Sequence, residues 1–219
     1  MAVTPPPSKP ASWAGIPAEE RTRDRRALLV AAAYDLFGTE GDAATSVRAV
    51  CRSAELNARY FYESFVDRDE LLGALYDQVS VELAELIGVA LLDAPDDPTA
   101  RLRAGIEAVL RFLTDDPRRA RILFTEGRAN PVLSERRRIA RQALVESTAA
   151  VGHEEIARLD GDHTRTSQMA EVAATLFGGA MEELAEAWTD GRLGDDLDQV
   201  IDDATNLSMA LFERVAPQA

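Results

Sequence analysis

The residues best able to do chemistry in this sequence are not those of a catalyst. No nucleophile–base pair, metal cluster or Gly-rich phosphate loop is visible, and His153 and His163 stand ten apart without a nearby Cys. Asp93, Asp96 and Asp97 share a loop but lack Ca²⁺-loop spacing, so they read as solvated charge. The single Cys51 excludes an internal disulfide, and its place on an apolar helix face marks it as buried structure. What needs explaining is a short helix whose outer face shows Ala58, Arg59, Tyr60, Tyr62 and Glu63. An arginine fork can grip a guanine edge at two points, and a tyrosine can meet a thymine methyl or donate to a phosphate. Such a face suits recognition of a nucleic acid.

The elements that must position this face are legible from Thr45 to Phe65, TSVRAVCRSAELNARYFYESF. Val47, Val50, Cys51 and Ala54 fall at i, i+3, i+4 and i+7, one apolar face of a first helix. Thr45 or Ser46 can cap its start and Asn57 the start of a second helix, in which Phe61 and Phe65 point the same way. Tyr60 and Tyr62 are about 200° apart around that helix. Packing against the preceding helix is therefore plausible for one of them and less so for both.

Charge decides where binding can occur. The formal net charge of −14 argues against a protein that coats nucleic acid generally. Arg21 to Arg68 nevertheless holds eight Arg against seven acidic residues, whereas Asp77 onward holds 15 Arg against 27. The acidity belongs to the C-terminal two-thirds.

In chain order, residues 1–20 are Pro-rich with little apolar material, a disordered arm in which Trp13 is an exposed oddity. Arg21, Arg23, Arg25 and Arg26 lead into a helix to about Phe37, ended by Gly38 and Gly41. Cations at a helix start oppose the macrodipole, and a DNA phosphate there would relieve the conflict; a solvated helix start is the plainer alternative. Asp67-Arg68-Asp69-Glu70 opens a helix to about Leu92. Thr99–Thr114 and a short helix after Asp116-Pro117 follow. Pro131 opens a long helix whose Arg136, Arg137, Arg138 and Arg141 read as a solvated face, weakening at Gly152 or Gly161. The last two helices are predicted over about 166–189 and 195–215. Nothing alternates like a strand, so the fold class is all-α with about nine helices. The longest apolar runs, Leu28–Tyr34 and Ile87–Leu92, are too short to cross a bilayer, and no secretory signal opens the chain, which fits a cytoplasmic setting without a membrane partner.

Taken together, Gly41 through Leu72 resembles the DNA-binding domain of TetR-type (TetR/AcrR) transcriptional regulators, which are two-domain, all-helical homodimers. The matching residues are Thr45-Ser46-Val47-Arg48, the apolar pair Val50-Cys51, the cap Asn57, Phe61-Tyr62-Glu63-Ser64-Phe65 and the basic Arg68. The motif occupies 46–65 and the domain-wide match about 23–83. Two departures stand out. Glu55 replaces the usual turn Gly, where a left-handed backbone costs on the order of 1 kcal/mol, so a slightly different turn is expected. Arg59-Tyr60 replaces small residues on the recognition helix and so changes which bases are read.

The resemblance implies an N-terminal helix-turn-helix domain at 21–68 and a regulatory and dimerisation domain at 69–219. The expected DNA-binding set is Thr45, Ser46, Arg48, Asn57, Ala58, Arg59, Tyr60, Tyr62 and Arg68. Arg59 is the base reader; Thr45, Ser46, Arg48, Tyr62 and Arg68 are the phosphate anchors. It further implies a homodimer through the last two helices, helped by Gly178-Gly179-Ala180, and a small-molecule effector among the middle helices. Phe112, Phe124, Met169, Phe177 and Trp188 are the pocket candidates, with ordinary core packing as the alternative. The implied protein is no enzyme, needs no cofactor or metal, and is a repressor released from a palindromic double-stranded DNA operator by its effector. A helical small-molecule-binding protein with a degenerate DNA-binding half is the other reading.

Overall fold

The computed structural model describes residues 17–125, 130–143 and 163–215. Trp13, Gly152, His153 and Gly161, together with the Pro-rich arm up to residue 16, lie outside them. The order is α1 (Ala18–Glu40), a 3-10 turn (Asp42–Ala44), α2 (Val47–Ser53), α3 (Ala58–Ser64), α4 (Arg68–Asp93) and α5 (Pro98–Asp115). Then come α6 (Pro117–Ala120) with a π-helical turn (Arg121–Thr125), α7 (131–143), α8 (His163–Thr189) and α9 (Leu197–Val215). Among the described residues there is no strand, and the fold is all-α.

Side chains set the helix starts. The Oγ of Ser46 accepts from the Ala49 amide at 3.2 Å, and the Oδ1 of Asn57 from the Tyr60 amide at 3.2 Å. Asp67 caps α4 through the Glu70 amide at 2.8 Å, and Asp97 caps α5 through the Ala100 amide at 2.7 Å. Asp97 is thus committed to a helix start instead of being loose loop charge. Each such cap contributes about 1 kcal/mol. The start of α1 corrects the expectation drawn from the Arg run. The helix begins at Ala18, so Glu19 and Glu20 occupy its first turn and match the macrodipole. The arginines follow, and no external anion is needed to explain them.

The chain divides into two compact units, one of residues up to 82 with 116–136, the other of 83–115 with 137 onward. In the first, α1 packs on α2, α3, α6 and the π turn. Leu29, Ala33 and Phe37 of α1, Val50 and Cys51 of α2, Phe61 and Phe65, and Leu71, Leu72 and Leu75 of α4 are buried. Burial contributes roughly 1.5–3 kcal/mol for each large side chain. Gly38 lies inside α1 and not at its end. A Cβ there would stand 2.5 Å from the Arg118 Cβ, so the missing side chain lets α6 approach. The left-handed cap is Gly41 alone, at φ 85°.

Where α6 meets α1, Tyr34 donates to Asp116 at 2.8 Å, and Arg118 bonds Asp116 at 2.6 Å and Asp35 at 2.6 Å. Burial pushes the Asp116 carboxyl up, but hydrogen bonds from Arg118 and Tyr34 outweigh it and bring the pKa to about 2. Burial and that same bond hold Tyr34 well above its ordinary value.

In the second unit α5 packs on α8 and α9 around Ile106, Leu110, Met181 and Ile201. Arg103 and Arg111 each join Glu107 on α5 to an acid on α9, Asp202 and Asp198 respectively, all between 2.7 and 2.8 Å. Of the arginines of α7 expected to be solvated, Arg136, Arg137 and Arg141 are ion-paired. Arg136 meets Asp77, Arg137 meets Glu182 and Glu186, and Arg141 meets Glu182. Beyond the end of α8 the chain turns at Gly191, where the Arg192 amide donates to the Ala187 carbonyl at 2.9 Å and the Gly191 amide to that of Trp188 at 2.9 Å. These two bonds form a Schellman closure around a residue with positive φ.

Candidate nucleic-acid interface

The break between α2 and α3 is a second Schellman closure. The Leu56 amide donates to the Cys51 carbonyl at 2.9 Å and the Glu55 amide to that of Arg52 at 3.2 Å. Glu55 sits at φ 51°. The turn therefore keeps the left-handed geometry that normally calls for Gly, and Glu55 bears the strain. Phe61 and Phe65 bury the inner face of α3, with ring centroids 5.8 Å apart. This register leaves Asn57, Ala58, Arg59, Tyr62 and Glu63 on the exposed side.

The expected DNA-binding residues separate into two groups. Ala58 is exposed, and Tyr62 keeps 62% of its surface, its ring edge-on to Phe61 at 5.3 Å. Arg59 is 83% exposed and its Nε donates to Glu63 at 2.9 Å. Arg48 is exposed on α2, with no ion pair among the described residues. Ser46 and Asn57 are exposed caps, each with a donor left over for a phosphate oxygen. The remaining three serve the fold. Thr45, expected as a phosphate anchor, is fully buried and donates its hydroxyl to the Gly41 carbonyl at 2.9 Å. Arg68, expected in the same role, is a clamp 28% exposed. Its Nε donates to the Thr45 carbonyl at 2.6 Å, and its Nη2 to the Asp42 carbonyl at 2.7 Å and carboxylate at 2.6 Å. Tyr60 packs inward, with the Arg25 guanidinium 3.9 Å from its ring centre.

The roles of four residues escaped the sequence reading. Arg25, only 12% exposed, bonds Glu63 at 3.2 Å while lying over Tyr60. Arg26 likewise lies over Phe65, 4.6 Å from the ring centre. Two arginines of the α1 run thus hold α3 in place. Glu63 accepts from both Arg25 and Arg59; its i+4 spacing from Arg59 was the legible signal. Asp42 binds Arg68 from 26 residues away, a separation no local pattern announces.

A capped helix, a left-handed turn and a short second helix with an outward polar face together form a helix-turn-helix, and residues 29–75 match the model of "Bacterial regulatory proteins, tetR family". This is a tetR-family domain. The likeness in fold reaches beyond that domain. A transcriptional regulator from Rhodococcus sp. RHA1 superposes with a TM-score of 0.69 at 19% identity, covering 89% of this chain and 98% of that one. The fatty acid degradation regulator FadR from Bacillus halodurans gives 0.68 at 15%, covering 84% and 94%. A TetR-family transcriptional regulator from Pectobacterium atrosepticum gives 0.64 at 21%, covering 92% and 99%. At these identities the likeness is one of fold.

The pocket candidates are dispersed. Phe112, Phe177 and Trp188 belong to the second unit and Phe124 to the first. Phe112 is buried, while Phe177 and Trp188 pack at the edge of the Ile106–Leu110–Met181–Ile201 core. The Trp188 Nε1 donates to Thr114 at 2.8 Å. The Met169 side chain lies outside the described ones.

Proposed function

We propose that this tetR-type chain is a cytoplasmic homodimeric repressor that binds a palindromic operator and leaves it when a small-molecule effector binds. The observation carrying the reading is the helix-turn-helix whose second helix presents Ala58, Arg59 and Tyr62 outward. In such a motif the second helix lies in the major groove with its N-terminal residues at base edges. Arg59 reads; Ser46, Arg48, Asn57 and Tyr62 hold phosphates and fix register. Residues 21–68 form the reading head and 69–219 the regulatory part.

Dimerisation follows from exposed apolar residues at helical spacing, Val172 and Leu176 on α8, Leu207 and Leu211 on α9. Gly179 has nothing within 4 Å of its Cβ position, which permits close approach of a second backbone. Two reading heads must stand about 34 Å apart to span one DNA turn. An effector releases the operator only by binding the mis-spaced arrangement more tightly. Phe112, Met169, Phe177 and Trp188, which all belong to the second unit, remain the proposed contacts. The half-buried Phe177 and Trp188 are best suited, because at a core edge a ligand replaces existing contacts without opening a void.

One observation favours the alternative, a small-molecule-binding protein with a degenerate DNA-binding half: Arg25, Arg59 and Arg68 each face an acid. A gel shift with DNA from the neighbouring promoter, at roughly 50 and 200 mM salt, separates the readings. The repressor gives a salt-sensitive shift that Arg59→Ala and Tyr62→Ala weaken. No shift, or one indifferent to both substitutions, rejects it.

A further inference from the structure

The geometry points to Glu63 as a specificity-determining positioning residue, one that sets how Arg59 meets a base and penalises binding to phosphate alone. The inference rests on the DNA-binding reading above and adds a residue and a role to it. Glu63 lies one turn beyond Arg59 on the exposed side of α3, a place where a carboxylate would repel the phosphate backbone. Its two oxygens are divided between two arginines. Oε2 accepts from Arg25 Nη1 at 3.2 Å and Oε1 from Arg59 Nε at 2.9 Å.

The two arginines differ in freedom. Arg25 is 12% exposed and its guanidinium lies 3.9 Å from the centre of the Tyr60 ring, so it is fixed by α1 and α3 together. Arg59 is 83% exposed and, among the described residues, held only by Glu63. Order therefore passes from Arg25 to Glu63 and from Glu63 to Arg59. Because the bond to Glu63 uses Nε, the two terminal nitrogens of Arg59 have no partner among the described residues. That pair is the fork that matches the O6 and N7 of guanine.

Glu63 also taxes the wrong complex. A lone phosphate offers Arg59 little that Glu63 does not already supply, and Glu63 repels it. A guanine edge is addressed without giving up the Nε bond. Specificity here comes from an element that weakens competing partners as well as one that favours the right partner. The exposed i,i+4 pair with Arg59 adds little to folding, and the amide oxygen of Gln can still accept from the largely buried Arg25, so Glu63→Gln is the substitution that spares the domain.

The test uses the full-length protein and Glu63→Gln, with fluorescence anisotropy on two duplexes across a salt series. One duplex carries the sequence that wild-type protein enriches from a random pool; the other is unrelated. Glu63→Gln is expected to bind the unrelated duplex roughly three- to tenfold more tightly at low salt. Its salt slope should steepen by about one, as Arg59 joins the phosphate contacts. The ratio of selected to unrelated affinity should fall by on the order of tenfold, with unchanged helicity by circular dichroism. Identical affinities and slopes overturn the inference. A proportional loss on both duplexes overturns it too, since Glu63 would then merely support α3. A gain on both with the ratio kept reduces Glu63 to a charge screen and overturns the positioning role. Wild-type protein that enriches nothing and binds neither duplex rejects the DNA-binding reading itself, a result distinct from all three.

Discussion

Arg68 separates two accounts of the same residue, phosphate anchor and internal clamp, and Arg68→Met discriminates between them. The wild-type guanidinium makes three bonds of 2.6–2.7 Å, to the Thr45 carbonyl and to two oxygens of Asp42, the backbone carbonyl and one carboxylate oxygen. Hydrogen bonds from a charged group contribute about 1.5–3 kcal/mol each, but this side chain is 28% exposed and water recovers part of the loss. A net cost of about 2–3 kcal/mol for the set is expected. It should fall on the loop leading into α2 and on the elements that loop places. At 1.4 kcal/mol per factor of ten, native-state hydrogen exchange should lose about thirty- to hundredfold protection across residues 42–64. Arg68→Lys, which keeps the charge but not the fork, should recover about half. If protection is unchanged while DNA affinity drops and the salt slope shrinks by about one, the clamp is wrong and Arg68 is a phosphate anchor.

Other outcomes follow from the same geometry. Glu55→Gly relieves the left-handed strain of about 1–2 kcal/mol but adds disorder to the unfolded chain; a gain of up to about 1 kcal/mol in urea unfolding is expected. Gly38→Ala, normally favourable inside a helix, places a methyl 2.5 Å from Arg118 Cβ, and crowding of about 1–3 kcal/mol should lower the thermal midpoint. Asp116 has its pKa depressed from an ordinary 3.8 to about 2, so its contribution is complete above pH 4 and lost as pH falls towards 2. Acid unfolding of Asp116→Asn should lack that part of the slope. Leu176→Glu and Leu211→Glu should convert a dimer to monomer in sedimentation, and leave the monomer folded.

What was legible in the sequence was whatever local pattern records. Helical periodicity gave the nine α-helices seen among the described residues, and the Thr45–Phe65 spacing gave the motif and its caps at Ser46 and Asn57. The left-handed turn was not legible: Glu55 in the place of Gly pointed to an altered turn, yet the backbone keeps φ 51° there. Nor was it legible where the cations point, since charge alone suggests phosphate or solvent. Arg25, Arg26, Arg68, Arg136 and Arg137 all looked like free cations, yet each lies on an aromatic ring or an acid distant in sequence. Such partners are chosen by tertiary packing, and no window of neighbouring residues contains them. Thr45 failed for the opposite reason: a hydroxyl beside a helix start satisfies the capping pattern, but the cap is Ser46 and the Thr45 hydroxyl turns inward to Gly41.

The central claim is that α3 reads base edges as one half of a two-fold assembly. Enrichment of a randomised duplex pool by the full-length protein, followed by sequencing, tests it most directly. The account predicts an inverted repeat whose half-sites lie about one helical turn apart, carrying a guanine whose selection is lost in Arg59→Ala. A pool that emerges without an enriched repeat, or a repeat unchanged by Arg59→Ala, would contradict it.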